Sequence, residues 1–161
     1  MNQIADIDAT GTNLEPCEPM PHSIEAEQQL LGAILTNNEI FDRVEPIIKE
    51  IHFFDPVHAR IFSICAARIT NNKLASPVTM ASFMENDEGL KELGGVQYLA
   101  RLTASAIAAF AARDYAQIIY DFAIRRELIL LGRDISARAS EVKVEDEPKE
   151  QITKAELALY N

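Results

Sequence analysis

The sequence predicts an all-α protein, a small helical bundle followed by a long helical hairpin that mediates dimerisation. Apolar residues recur at helical spacing of three and four, no stretch alternates with a period of two, and capping or breaking residues divide the chain at short intervals. Connections of two to eight residues between such segments suit a helical bundle.

Residues 1–20 carry Asp, Asn, Thr, Gly and proline with no periodicity and are expected to be a disordered tail. Order is expected to begin at Pro21-His22-Ser23, where Ser23 can cap a helix with Glu25 and Glu27 in its first turn. Ile24, Leu31 and Leu35 fall on one stripe, widened by Leu30 and Ile34. Asn37-Asn38 stops that helix and caps a short second one, with Ile40, Phe41 and Val44 facing inward, which Pro46 closes. Ile47 to Ile51 is at most a turn or two. Asp55-Pro56 is a helix start, an N-cap carboxylate followed by proline at the first helical position. That helix runs through Ile61, Phe62, Ile64, Cys65 and Ile69 to Asn71-Asn72. Ser76-Pro77 opens the next, which carries Val78, Met80, Phe83 and Met84 and is expected to end near Asp87-Glu88-Gly89. Gly94-Gly95 punctuates the chain before a helix over Val96 to Thr103 with Tyr98, Leu99 and Leu102 on its apolar side.

The longest expected element runs from about Ala109 to Ala139, roughly 45 Å at 1.5 Å per residue. Asp121–Arg125 and Asp134–Arg138 stand four apart in the favourable acid-first order. Ile118, Ile119, Phe122 and Ile124 are followed by the unbroken run Leu128-Ile129-Leu130-Leu131, so apolar residues go all the way round. Its own domain can cover one side, and a second chain is the natural cover for the other. Glu145-Asp146-Glu147-Pro148 is expected to turn, and Lys149 to Tyr160 to form the last helix. The chain thus divides into a tail (1–20), a globular bundle (21–104), a long helix with its turn (105–148) and a second hairpin helix (149–161). Ile118, Phe122, Leu128, Ile129, Leu130, Leu131, Ile135 and Leu157 are the candidate oligomer-interface residues.

With 161 residues the chain can bury a sizeable core without disulfides or metals. No apolar run approaches the roughly 20 residues that span a bilayer, and the acidic N-terminus resembles neither a secretory signal nor a transit peptide. The dissimilar settings of Cys17 and Cys65 argue against a disulfide and for a reducing, cytoplasmic location. The net charge of −10 argues against a simple nucleic-acid binder. Residues 105–140 alone are not acidic, with four acids and the five arginines Arg113, Arg125, Arg126, Arg133 and Arg138, interleaved with aliphatics.

Little points to chemistry. Gly94-Gly95 lacks the GxxxxGK[ST] pattern that cradles phosphates and reads as a helix stop and restart. Glu25/Glu27 and Asp87/Glu88 are paired carboxylates without a His or metal partner in reach by sequence, and are expected to complement helix dipoles or stay solvated. Ser23 and Ser63 have no adjacent base. His22, His52 and His58 lack companions at metal-ligand spacing. His58, three residues after Asp55, is expected to play a structural part, bonding back to the cap region. No catalytic, cofactor-binding or metal-ligating residue is expected in this chain.

The ordered set of short pieces nevertheless resembles a known family. It begins at Pro21-His22-Ser23-Ile24-Glu25-Ala26-Glu27-Gln28 and Leu31-Gly32-Ala33-Ile34-Leu35. It continues with Phe53-Phe54, His58-Ala59-Arg60-Ile61-Phe62 and Pro77-Val78-Thr79. Leu93-Gly94-Gly95-Val96-Gln97-Tyr98-Leu99, Arg113-Asp114-Tyr115-Ala116 and Arg125-Arg126-Glu127-Leu128-Ile129 complete it. Over residues 21–161 this is similar to the N-terminal domain of the DnaB family of replicative DNA helicases, and residues 150–160 resemble the start of that family's linker helix. Where the family often has Asn four residues before the Tyr of the long helix, this chain has Ala111, so the start of that helix lacks its usual cap.

The resemblance implies an assembly and docking domain of a hexameric, ATP-driven helicase that unwinds duplex DNA at the replication fork. It implies pairing through the long hairpin, a collar of three dimers, and primase and a helicase loader as partners. Walker motifs and an arginine finger are absent from these residues, so ATP and magnesium are expected to act in a separate motor domain, and the chain itself is expected to show no ATPase activity and no strong DNA binding. The alternatives are an acidic helical interaction module unrelated to replication, or a weak nucleic-acid-binding domain using the arginines of 105–140.

Overall fold

Ser23 sets where the fold starts: its hydroxyl accepts from the Ala26 amide, and helix α1 (Ile24–Thr36) follows. The computed structural model describes residues 19–141 and 147–160, and the expected tail over 1–18 and most of the turn before Pro148 lie outside them. Every position of α1 from Leu30 to Leu35 is buried, so this helix is the axis of the bundle rather than an amphipathic wall. At Gly32 the reason for glycine is steric. A Cβ there would stand 1.9 Å from the Leu102 carbonyl oxygen, because helix α6 (Val96–Ala104) crosses α1 at backbone contact.

The Asn37 side chain ends α1 and accepts from the Glu39 amide, opening a 3-10 turn (Asn38–Ile40) that runs into α2 (Phe41–Val44). Asn38 ties this corner to a distant loop. Its amide group donates to the Ile34 and Ala75 carbonyls, and its side-chain oxygen accepts from the Ala75 amide at 2.9 Å. A second 3-10 turn (Glu50–His52) leads to the Asp55 cap, whose carboxylate accepts from the Val57 amide at 2.7 Å. From there α3 (Pro56–Thr70) buries Val57, His58, Ile61, Phe62 and Cys65.

Ser76 caps α4 (Pro77–Met84) through a reciprocal box with Thr79. Only Met80 and Met84 of α4 are buried, whereas Val78 is 83% and Phe83 60% exposed. Asp87-Glu88-Gly89 does not end this helix. Asp87 accepts from the Leu90 amide and opens a further short helix, α5 (Glu88–Glu92), which the sequence reading lacked. The Arg60 guanidinium beside Asp87 pins α5 to α3 and holds the Asp87 carboxyl below its ordinary value. Gly94 and Gly95 both take positive φ, +109° and +65°, the region that lets the chain reverse into α6 without a Cβ penalty. Tyr98, Leu99 and Leu102 are the buried face of α6.

After a 3-10 turn at Ala109–Ala111 comes α7 (Ala112–Ser140), 29 residues and no side-chain cap at Ala111. Ala112, Ala116, Ile119 and Ala123 are its buried residues, mostly small, so the helix backbone lies close to the head. Past Arg126 only Ile129 and Leu131 are partly covered. Helix α8 (Pro148–Tyr160) packs along this outer half of α7 and has no fully buried residue. No strand occurs among the described residues. The core is one contiguous cluster running from Ala26 to Ile119, with Cys65 against Met80 inside it.

Candidate functional site

The outer half of α7 and α8 concentrates exposed apolar side chains. Leu128, Leu130 and Leu157 are 54%, 55% and 64% exposed, and Ile118, Ile135, Ile152, Leu159 and Tyr160 also face outward. Such an accumulation on one limb of a small domain is the mark of an interaction surface, since scattered single apolar residues are the norm elsewhere. Between the two helices runs a groove of about 440 Å³ walled by Leu131, Ile135 and Ala139 of α7 and by Ile152, Ala155 and Leu159 of α8. Ile152, Ala155 and Leu159 follow helical spacing, so one stripe of α8 meets α7.

The eight residues expected from sequence do not form one patch within the chain. Leu131 and Ile135 face the groove, while Leu157 lies on another side of α8, beside Lys149, Thr153 and Lys154. Leu128 and Leu130 are about 200° apart at 3.6 residues per turn. Phe122 and Ile129 are half-buried, and Ile118 stands nearer the head. Together they surround α7, leaving several sides for other surfaces to cover. The sequence reading missed Ile152, Leu159 and Tyr160. The spacing of Ile152, Ala155 and Leu159 was the available signal, and the low apolar content of residues 148–154 obscured it.

The arginines of this limb do not make a basic track. Arg126 donates to the Pro21 carbonyl at 3.0 Å and the His52 carbonyl at 2.7 Å, with its guanidinium over the Phe54 ring. Arg138 pairs with Asp134 as expected, but Asp121 is engaged by Gln117 rather than by Arg125. Burial lowers the Arg126 pKa from its ordinary value, while Glu27 and Glu127 pull it back up.

Behind the limb lies a buried polar chain that sequence did not disclose. Glu27, read as a dipole partner or a solvated acid, is only 2% exposed. Its carboxylate accepts from the Phe54 and Asp55 amides and stands 2.7 Å from His58 Nδ1. His58 Nε2 lies 2.6 Å from the Tyr98 hydroxyl, which accepts from Gln28 Nε2 at 3.1 Å. The directions that satisfy every group run from Gln28 to Tyr98, from the Tyr98 hydroxyl to Nε2, and from Nδ1–H to Glu27. His58, expected to bond back to the cap region at Asp55, instead meets Glu27 and Tyr98. The set joins α1, α3 and α6, and its polar atoms are engaged with one another and with the Phe54 and Asp55 amides. Among the described residues no three His, Cys, Asp or Glu side chains gather as a metal site, and no helix is long and apolar enough to cross a membrane.

The profile of the family described as DnaB-like helicase N terminal domain matches residues 19–121. The replicative DNA helicase DnaB of Rickettsia bellii is 40% identical over 142 residues, 88% of this chain and 28% of that protein. That of Rickettsia typhi is 38% identical over 160 residues, 99% of this chain and 32% of that protein. The corresponding helicase of Treponema pallidum is 29% identical over 119 residues, covering 74% of this chain and 27% of its own length. The chain therefore spans about a third or less of the curated relatives it matches. Among solved structures, the N-terminal domain of DnaB helicase from Mycobacterium tuberculosis superposes with a TM-score of 0.77 at 23% identity. That match covers 88% of this chain and 99% of the other, and establishes a shared fold.

Proposed function

Because the chain belongs to the DnaB-like helicase N-terminal domain family, we propose that it is the assembly and primase-docking domain of a hexameric replicative DNA helicase. In this reading two copies pair through α7 and α8, three such pairs form a collar, and primase and a helicase loader engage the assembled protein in the cytoplasm. ATP and magnesium act in the motor part of the helicase, which unwinds duplex DNA at the fork. This domain supplies geometry rather than catalysis.

The observation that carries the reading is the exposed apolar surface that Leu128, Leu130 and Ile135 of α7 and Ile152, Leu157 and Leu159 of α8 present along the hairpin. Burying a Leu side chain is worth roughly 1.5–3 kcal/mol, so leaving Leu128, Leu130, Ile135 and Leu157 in water forgoes stabilisation that a second copy would recover. Charge favours this over DNA as the occupant, since the chain carries −10.

Sedimentation velocity tests the first half. The chain should run as a dimer or larger species at tens of micromolar, and Leu130→Asp should shift it to monomer with its helicity intact, because a carboxylate would be buried unpaired. A strictly monomeric wild type overturns the reading. Pull-down of the cognate primase by the wild-type chain tests the second half, and a failure there with a normal oligomer mass removes primase alone.

A further inference from the structure

Helix α7 serves two bodies. Its first part is packed into the head, and its buried residues stop at Ala123. Its remainder, with α8, projects as the hairpin. The last firm attachment is Arg126, and it is an unusual one. Among the described residues the guanidinium has no carboxylate within ion-pair distance. It is held by two main-chain carbonyls from separate stretches, Pro21 before α1 and His52 in the 3-10 turn before α3. The Phe54 ring seats it 5.5 Å away, and the His22 ring stacks on that same ring at 3.9 Å and 6°. His52 in turn meets the Tyr120 ring edge-on, about one and two-thirds turns back along α7. Phe54 itself is fixed from within, because its amide donates to the buried Glu27 carboxylate at 2.6 Å.

We propose that Arg126 is the joint of the molecule, a clip that closes the Pro21–His22 segment and the Glu50–Phe54 turn around α7 and sets the direction in which the hairpin leaves the head. Three features carry this. Among the described residues the acceptors sit on segments that make no other hydrogen bond to α7, so there the clip is the polar connection between them. A planar fork reaches two carbonyls from two separate nitrogens while its face lies over a ring, a geometry that a point-like ammonium fits less well. Beyond the clip about 21 Å of helix extends without a fully buried residue, so a swing of about 10° at Arg126 carries the far end of α7 by about 4 Å. The orientation of any surface on the hairpin is thereby governed by one side chain. The inference concerns a single chain and does not depend on how copies associate.

A spin-label distance measurement tests it. Labels go on the head at Glu85→Cys and on the outer part of α7 at Ala137→Cys, both exposed positions, in a Cys17→Ser background that keeps the buried Cys65. The labelled chain is diluted with excess unlabelled chain so that only distances within one copy are read. The wild type should give one narrow distribution. Arg126→Met, which keeps the apolar stem and removes the donors, should broaden or displace it while circular dichroism reports a folded head. Arg126→Lys should fall between the two, and Arg125→Met, one position away and exposed, should match the wild type. A distribution for Arg126→Met that superposes on the wild type overturns the proposal, even if the melting temperature drops, because Arg126 would then stabilise without orienting. If Arg126→Met does not fold, Phe54→Leu removes the seat alone, and an unchanged distribution in that variant likewise overturns it.

Discussion

Two histidines that look equivalent in the sequence do different things at the level of the single residue. His58 is fully buried and bonded at both ring nitrogens, and Tyr98→Phe would leave Nε2 without the Tyr98 donor and Gln28 without the Tyr98 acceptor. We expect that substitution to cost about 1–3 kcal/mol, the penalty for an unsatisfied buried polar group, read as a lower denaturant midpoint with an unchanged slope. His52 sits at the edge of the head, where its Nδ1 accepts the Lys49 amide. Burial lowers its pKa below 6.5, with Lys49 and Arg126 acting in the same direction and Glu127 and Glu50 opposing. A base whose folded value is depressed contributes fully above its unfolded value, and that contribution is lost as pH falls through the folded one. Stability should therefore begin to decline as the solution is acidified below 6.5, and His52→Asn, which can still accept from Lys49, should flatten that limb. If the variant and the wild type decline in parallel as the pH falls below 6.5, His52 is not the group responsible. The Asp87–Arg60 pair acts in a separate window, below the ordinary carboxylate value of 3.8.

Among the helices, what could be read from the chain was whatever is decided locally. Ser23, Asn37, Asp55 and Ser76 each cap where their side chains announce it, and Gly94-Gly95 breaks where positive φ is needed. Asp87 offered a capping carboxylate like Asp55 but no proline after it, and the glycine two residues on read as a helix end, so α5 went unseen. The close crossing of α1 and α6 is a different matter. Nothing in Leu31-Gly32-Ala33 says which carbonyl will lie above it, because that depends on a residue 70 positions away. Gly32→Ala should accordingly behave unlike a helix-stabilising Gly-to-Ala change. The added methyl meets backbone rather than a movable side chain, so the helices must part, and we expect a loss of about 1–3 kcal/mol or more by thermal melting. A gain in stability would mean that α6 shifts freely on α1. The polar chain of Glu27, His58 and Tyr98 was hidden for the same reason, its members lying 31 and 40 residues apart.

Taken as a whole, the molecule joins a head with an enclosed core to a limb that has none of its own. All large core side chains of the head are enclosed, and no buried side-chain nitrogen or oxygen among the described residues lacks a partner. The limb keeps most of its apolar side chains in water and continues from a stretch of α7 held to the head by Ala112, Ala116, Ile119, Tyr120, Ala123 and Arg126. The all-round apolar pattern of residues 118–131 made the limb legible in the sequence. Which of those residues share a surface was not, since a helix periodicity does not say where the head stops covering it.

The thiol of Cys65, wholly enclosed beside Met80 and pushed up to about 12 by that burial, gives the head a built-in clock. A disulfide exchange reagent reacts with thiolate, and no thiolate is presented while α3 and α4 remain together. In a Cys17→Ser chain the rate of modification at neutral pH should therefore count openings of the core, falling far below that of a free cysteine and rising steeply with urea. Gly32→Ala and Tyr98→Phe should speed the clock, whereas Leu130→Asp should leave it running at the wild-type rate. Modification of the native chain as fast as free cysteine would mean that the core breathes on the timescale of the reagent.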